Sequence, residues 1–148
     1  MKKESSKLLL LDVNVLLALA WPNHQFHAAA TRRLERSRDR WATCALTELG
    51  FIRLSSNPAA VAPAKTPAEA AALLGVLTRD PLHVYLESLP SPAGGECRAS
   101  VSRILGSKQV TDAYLLFLAH RSGAVFVTFD TRLRALAGPD TETDVITG

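Results

Sequence analysis

Cysteine is scarce in this chain: Cys44 and Cys97 are the only two, far apart and in none of the spacings that zinc sites use. A disulfide scaffold and a structural zinc fold are thereby excluded. The pair reads as reduced thiols of a cytosolic protein, with Cys44 buried. Histidine ligands are equally thin, because His24 and His27 could meet on a helix turn but no third ligand lies nearby, so they read as ordinary surface histidines. Charge is low as well, at 21% of residues against 47% hydrophobic, which excludes a disordered chain. No apolar run is long enough to span a bilayer. Lys2, Lys3 and Lys7 followed by leucines and Ala18-Leu19-Ala20 imitate a secretory signal, but Asp12 and Asn14 interrupt it.

What remains is a chain of 148 residues that reads as a single globular domain over 1–148, with 1–7 a flexible N-terminal tail. The net charge of +3 is compatible with a nucleic-acid partner without requiring one. The rest is organised around Leu8 to Ala20, where four leucines suit a strand covered on both faces and Val15 to Ala20 suit a short buried helix ending before Pro22. Asp12 then sits at the carboxyl end of the first strand, the edge where parallel sheets collect ligands. Taken alone, the stretch favours the plainer reading of Asp12 or Asn14 as a helix cap.

A second helix is expected over Asn23 to Ser37, with Asn23 its cap and Arg32, Arg36 and Arg40 on one basic face, near Arg33 and Arg38. These arginines are candidate RNA contacts, or a solvated face that Glu35 and Asp39 partly neutralise. Trp41 to Ala45 reads as a strand, and Leu46 to Leu54 as a helix in which Glu48 shares a face with Phe51 and Ile52. Thr66-Pro67-Ala68-Glu69 combines a capping box with proline at the first helical position. A third strand is expected over Leu82 to Leu86, a turn at Ser91 to Gly95, and a weak helix from Arg98 to Leu105. Val110 to Gly123 is apolar nearly all round, as a central helix should be, with Thr111 its cap and Gly123 its stop. Ala124 to Asp130 repeats the first strand's design, an apolar run closed by a carboxylate. A short helix from Arg132 to Ala137 and an edge strand around Val145 to Thr147 complete the alternation.

Asp12 and Asp130 thus close two strands, while Glu48 and Asp112 point inward from the first turns of two helices. Four such carboxylates on one sheet edge would repel strongly unless protonated or bridged by a divalent cation. Oxygen donors without paired His or Cys suit Mg²⁺ or Mn²⁺ rather than zinc.

The motifs Leu11-Asp12-Val13-Asn14-Val15-Leu16, Thr47-Glu48-Leu49, Thr111-Asp112-Ala113-Tyr114-Leu115 and Val127-Thr128-Phe129-Asp130 resemble the acidic motifs of PIN-domain ribonucleases, in particular the VapC-type toxins of prokaryotic toxin–antitoxin pairs. The resemblance runs from about Leu8 to Leu136. It implies an α/β/α sandwich with a mainly parallel sheet of four to five short strands. It also implies a cytoplasmic, Mg²⁺-dependent endoribonuclease, usually dimeric and held inactive by an antitoxin. Asp12, Glu48, Asp112 and Asp130 would form the acidic site, with Asp12 and Asp112 the direct metal ligands and Asn14, Thr111 and Thr128 polar neighbours. Some family members carry another acid just after the last motif; here Thr131-Arg132 follows, and the next acid is Asp140. The dimer is also expected from the apolar excess around Leu16 to Trp21.

Two other classes compete. A phosphatase of the haloacid-dehalogenase kind needs a second acid two residues after Asp12, where Asn14 stands. A non-catalytic RNA-binding or regulatory module keeps the fold, yet burying four acids without metal or catalysis would be a costly arrangement.

Overall fold

Leu8–Leu11 forms the central strand, β1, with Leu9, Leu10 and Leu11 fully buried. The computed structural model describes residues 7–101 and 106–148. The expected tail thus lies outside the described residues except for Lys7, as does the end of the helix expected over Arg98 to Leu105. Four more strands join β1: β2 (Arg40–Cys44), β3 (His83–Leu86), β4 (Val125–Thr128) and β5 (Thr143–Val145). Their order is β3-β2-β1-β4-β5 and every pairing is parallel. The order reverses between β1 and β4, so the chain leaves their carboxyl ends toward opposite faces of the sheet.

Because strand side chains alternate, the four leucines serve two cores at once. Leu9 and Leu11 join Val15, Leu16, Trp41, Phe51 and Val127 on one face, under α1 (Val13–Ala20), α2 (His27–Ser37), α3 (Ala45–Ser55) and α4 (Pro67–Leu77). Leu10 joins Ala42, Leu115, Leu118 and Phe126 on the other, under α6 (Val110–Arg121) and α7 (Leu133–Ala137). A short α5 (Gly95–Val101) packs beside α6. The Thr66–Glu69 capping box forms as read, with reciprocal bonds of 2.8 and 3.1 Å. Gly123 takes a positive φ of 67° just after α6, which suits a residue without Cβ. Both cysteines are buried as free thiols.

Several expectations need correction. Asn23 is not a cap: α2 starts at His27, and the Asn23 amide instead donates to the Ala62 carbonyl at 3.2 Å. Thr111 is not a cap either, since α6 starts at Val110 after a 3-10 turn over Ser107–Gln109. Arg40 opens β2 and so leaves the helical face of Arg32 and Arg36. The last strand covers Thr143–Val145, ahead of the expected stretch. His24 and His27 are partly buried: His24 Nδ1 accepts from the Phe26 amide, and His27 Nδ1 meets the Ala18 carbonyl at 2.7 Å. Leu16, Leu17, Ala18 and Trp21 lie inside the core, and of that apolar run only Leu19 and Ala20 are partly exposed.

Candidate active site

Asp12 follows β1 directly, in extended conformation, and works as cap and as part of the acidic edge together. Its amide donates to the Val127 carbonyl at 2.9 Å, extending the β1–β4 pairing by one residue. One carboxylate oxygen accepts from the Val13 amide at 2.8 Å and caps α1; the other accepts from Thr128 Oγ1 at 2.7 Å. Only 8% of Asp12 is exposed. Burial pushes its pKa up, the Thr128 and Val13 bonds oppose that, and the charge of Asp130 adds to the rise.

Thr128 links two of the acids, because its Oγ1 donates to Asp12 and accepts from the Asp130 amide at 3.1 Å. The Asp130 carboxylate is clasped by Arg132, with Nε to Oδ1 at 3.0 Å and Nη2 to Oδ2 at 2.8 Å. That fork holds Asp130 below the usual carboxylate range. Asp112, in the first turn of α6, is pushed up to about 6 by burial, then by the charges of Asp12 and Asp130, with Arg132 opposing. The charges of Asp12, Asp112 and Asp130 therefore act on one another at the carboxyl ends of β1 and β4.

Glu48 starts from the same sheet edge, in the first turn of α3 after β2, but has other partners. Its Oε2 accepts from Thr43 Oγ1 at 2.7 Å, and Thr43 Oγ1 also meets His83 Nε2 at 2.7 Å. Glu48 is not among the charges that perturb Asp12 or Asp112. Of the supporting polar residues, Thr128 is buried and engaged, whereas Asn14 and Thr111 are exposed beside Asp12 and Asp112. Arg32 and Arg36 line an open groove with Val145, Ile146 and Thr147, away from Arg40. Sequence reasoning missed Thr43 and His83, which lie too far apart in the chain to signal each other. Arg132 was visible in the sequence only as part of Thr131-Arg132, which follows the last acidic motif in place of a further acid.

The donor chemistry fits a hard divalent cation: the acids offer only carboxylate oxygens, and two of them have raised pKa values that a nearby cation would relieve. Among the described residues, no group of three or more His, Cys, Asp or Glu is already gathered for one ion.

A five-stranded parallel sheet with Asp12 and Asp130 at the carboxyl ends of the two strands where its order reverses defines a class, and the sequence agrees: the PIN domain pattern matches residues 9–139, and the chain belongs to that family. Within it, the chain is 41% identical over 126 residues to Ribonuclease VapC39 of Mycobacterium tuberculosis, covering 84% of this chain and 89% of the relative. It is 40% identical over 141 residues to Ribonuclease VapC38 of the same organism, covering 93% and 97%. Among solved structures, VapBC2 of Rickettsia felis bound to a promoter DNA fragment superposes with a TM-score of 0.66 at 13% identity, covering 95% of this chain and 99% of that one. Mycobacterium tuberculosis VapC20, a sarcin–ricin loop cleaving toxin, gives 0.64 at 14% identity, covering 90% and 98%. These two likenesses establish the shared fold.

Proposed function

We propose that the chain is a VapC-type endoribonuclease, the toxin of a toxin–antitoxin pair, which hydrolyses RNA phosphodiester bonds with Mg²⁺, or Mn²⁺ in its place. The observation that carries this reading is the placement of Asp12 and Asp130 on Thr128 at the carboxyl ends of β1 and β4, with Asp112 in the first turn of α6 feeling the charge of both. Relatives named ribonucleases at about 40% identity support the activity. Neighbours solved as VapBC assemblies support a cognate antitoxin.

Asp12 and Asp112 would hold the cation, with Glu48 and Asp130 completing the acidic site. Bound there, it would stabilise negative charge on the scissile phosphate and favour ionisation of the attacking water. Asp12 is held in one rotamer by the Val13 amide and Thr128, so it presents its oxygens without reorganisation. Arg132 is largely exposed while it clasps Asp130, and a guanidinium so placed can also meet an incoming phosphate. On this reading the chain acts in the cytoplasm and pairs with itself. Among the described residues, no helix is long and apolar enough to cross a membrane. Light scattering of the chain alone reads the self-association, and a strictly monomeric result removes it.

The test uses antitoxin-free protein and single-stranded or loop RNA. Wild type is expected to cleave with Mg²⁺ or Mn²⁺ and to stop in chelator, and Asp12→Asn or Asp112→Asn to lose about a hundredfold or more in rate. Undiminished cleavage by both variants overturns the assignment. RNA binding without cleavage by wild type would favour the non-catalytic RNA-binding or regulatory module instead.

A further inference from the structure

Thr43, the penultimate residue of β2, is fully buried, and its hydroxyl touches Glu48 Oε2 and His83 Nε2, each at 2.7 Å. A threonine hydroxyl carries one hydrogen. An ionised Glu48 can only accept, so that hydrogen goes to Glu48, and Thr43 Oγ1 must in turn accept from His83. Nε2 of His83 is then the donor to Thr43, with the Thr78 backbone as a second hydrogen-bond partner of the imidazole. The opposite polarity would set a Thr43 lone pair against a carboxylate oxygen at hydrogen-bond distance, which is repulsive.

His83 is itself well fixed. Its ring centroid lies 4.6 Å from that of Trp41. The Trp41 indole donates to Asp80 Oδ2 at 3.1 Å, and the His83 amide donates to the Asp80 carbonyl at 2.9 Å. These contacts fix the His83 backbone and the Trp41 ring that its imidazole packs against. The Glu48 carboxylate is oriented by strands other than those that hold Asp12: its hydrogen bond comes from Thr43 of β2, backed by His83 of β3.

We propose that Thr43 and His83 are positioning residues for Glu48, forming a relay from imidazole to hydroxyl to carboxylate that engages Oε2 and leaves Oε1 for the chemistry at the strand ends. The proposal rests on the ribonuclease reading. Groups that orient a metal-site ligand from behind typically matter by about 10- to 100-fold in metal affinity or activity. The relay also divides labour along the edge: β1 and β4 orient Asp12 through Thr128, and β2 and β3 orient Glu48 through Thr43.

Long-range proton–nitrogen correlation spectra of the histidine rings read the relay without any activity. Nε2 of His83 should carry hydrogen in wild type, and a bare Nε2 overturns the relay. Thr43→Val keeps the shape but removes the hydroxyl, and His83→Leu removes the donor. Each should lower the cleavage rate about 10- to 100-fold, or raise the Mg²⁺ requirement to match, and shrink the Mg²⁺-induced rise in melting temperature. Thr43→Ser, and His83→Gln with its amide in place of Nε2, should recover most of the loss. Cleavage by wild type with an unimpaired Thr43→Val overturns this proposal alone. Failure of wild type to cleave any RNA with Mg²⁺ overturns the ribonuclease reading, and this proposal with it.

Discussion

Asp112 carries an unresolved conflict of charge, since its carboxyl is pushed from 3.8 up to about 6 by burial and by Asp12 and Asp130. Between those values the folded chain keeps a proton that the unfolded chain has released, so stability is fullest at low pH and falls as pH rises through the window. The group is only half-buried, and solvent screening reduces the effect to on the order of 1 kcal/mol. Asp112→Asn should therefore gain on wild type as pH rises from about 4 to about 6, by roughly 2 to 4 °C in melting temperature with chelator present. Asp12 is raised in the same direction, but comparing the two proteins at each pH isolates Asp112. A difference that stays flat with pH would mean that Asp112 is not strained by its neighbours. The Asp130–Arg132 fork points the other way, because it lets the third aspartate remain charged.

At the scale of elements, the site depends on how closely α1 and α3 approach, since their first turns carry Asp12 as cap and Glu48. Gly50 permits that approach: a Cβ there would lie 2.9 and 3.1 Å from the two Val13 methyl carbons. Alanine would improve helix propensity by about 1 kcal/mol, but overpacking commonly costs about 1 to 3. Gly50→Ala is thus expected to lose stability overall, by about 1 kcal/mol. Val13→Ala should suppress that loss, and denaturant melts of the double-mutant cycle read the coupling. A more stable Gly50→Ala would show that the two helices have room to spare. At the far end of the same pair, the Trp21 indole donates to Ser55 Oγ at 3.1 Å, so α1 and α3 are tied at both ends.

Over the whole molecule the basic residues divide by address rather than by number. Arg33 lies between Arg32 and Arg36 in sequence, yet it is committed to Asp144 and Asp39, which tie α2 to β5 and to the start of β2. Arg32 and Arg36 stay free to line the groove beside the end of β5. Arg40 sits at the amino end of β2, a full strand length from the edge that carries the acids. Replacing Arg32 or Arg36 by alanine should weaken RNA binding across sequences and lower the salt slope by about 0.7 to 0.9 per lost phosphate contact. Arg40→Ala should leave the slope unchanged. Equal slopes for all three variants and wild type would mean that the groove faces solvent only.

Much of this was legible locally. The leucines of β1, the capping box of α4 and the apolar circumference of α6 are patterns of a few residues, and a backbone that must satisfy its own hydrogen bonds converts such patterns directly into elements. Since Asp12, Glu48, Asp112 and Asp130 stand at element ends, the local reading also placed them on one sheet edge. The sheet order decided the rest. It put Leu16, Leu17, Ala18 and Trp21 inside, gave His24 and His27 backbone partners, and sent Arg40 to the opposite edge. It also set Thr43 between Glu48 and His83, and grouped three of the acids while giving the fourth its own support. These outcomes depend on which strands become neighbours and on which face each side chain falls. Partners some forty or more residues apart leave no local period in the chain, so only the folded sheet could select them.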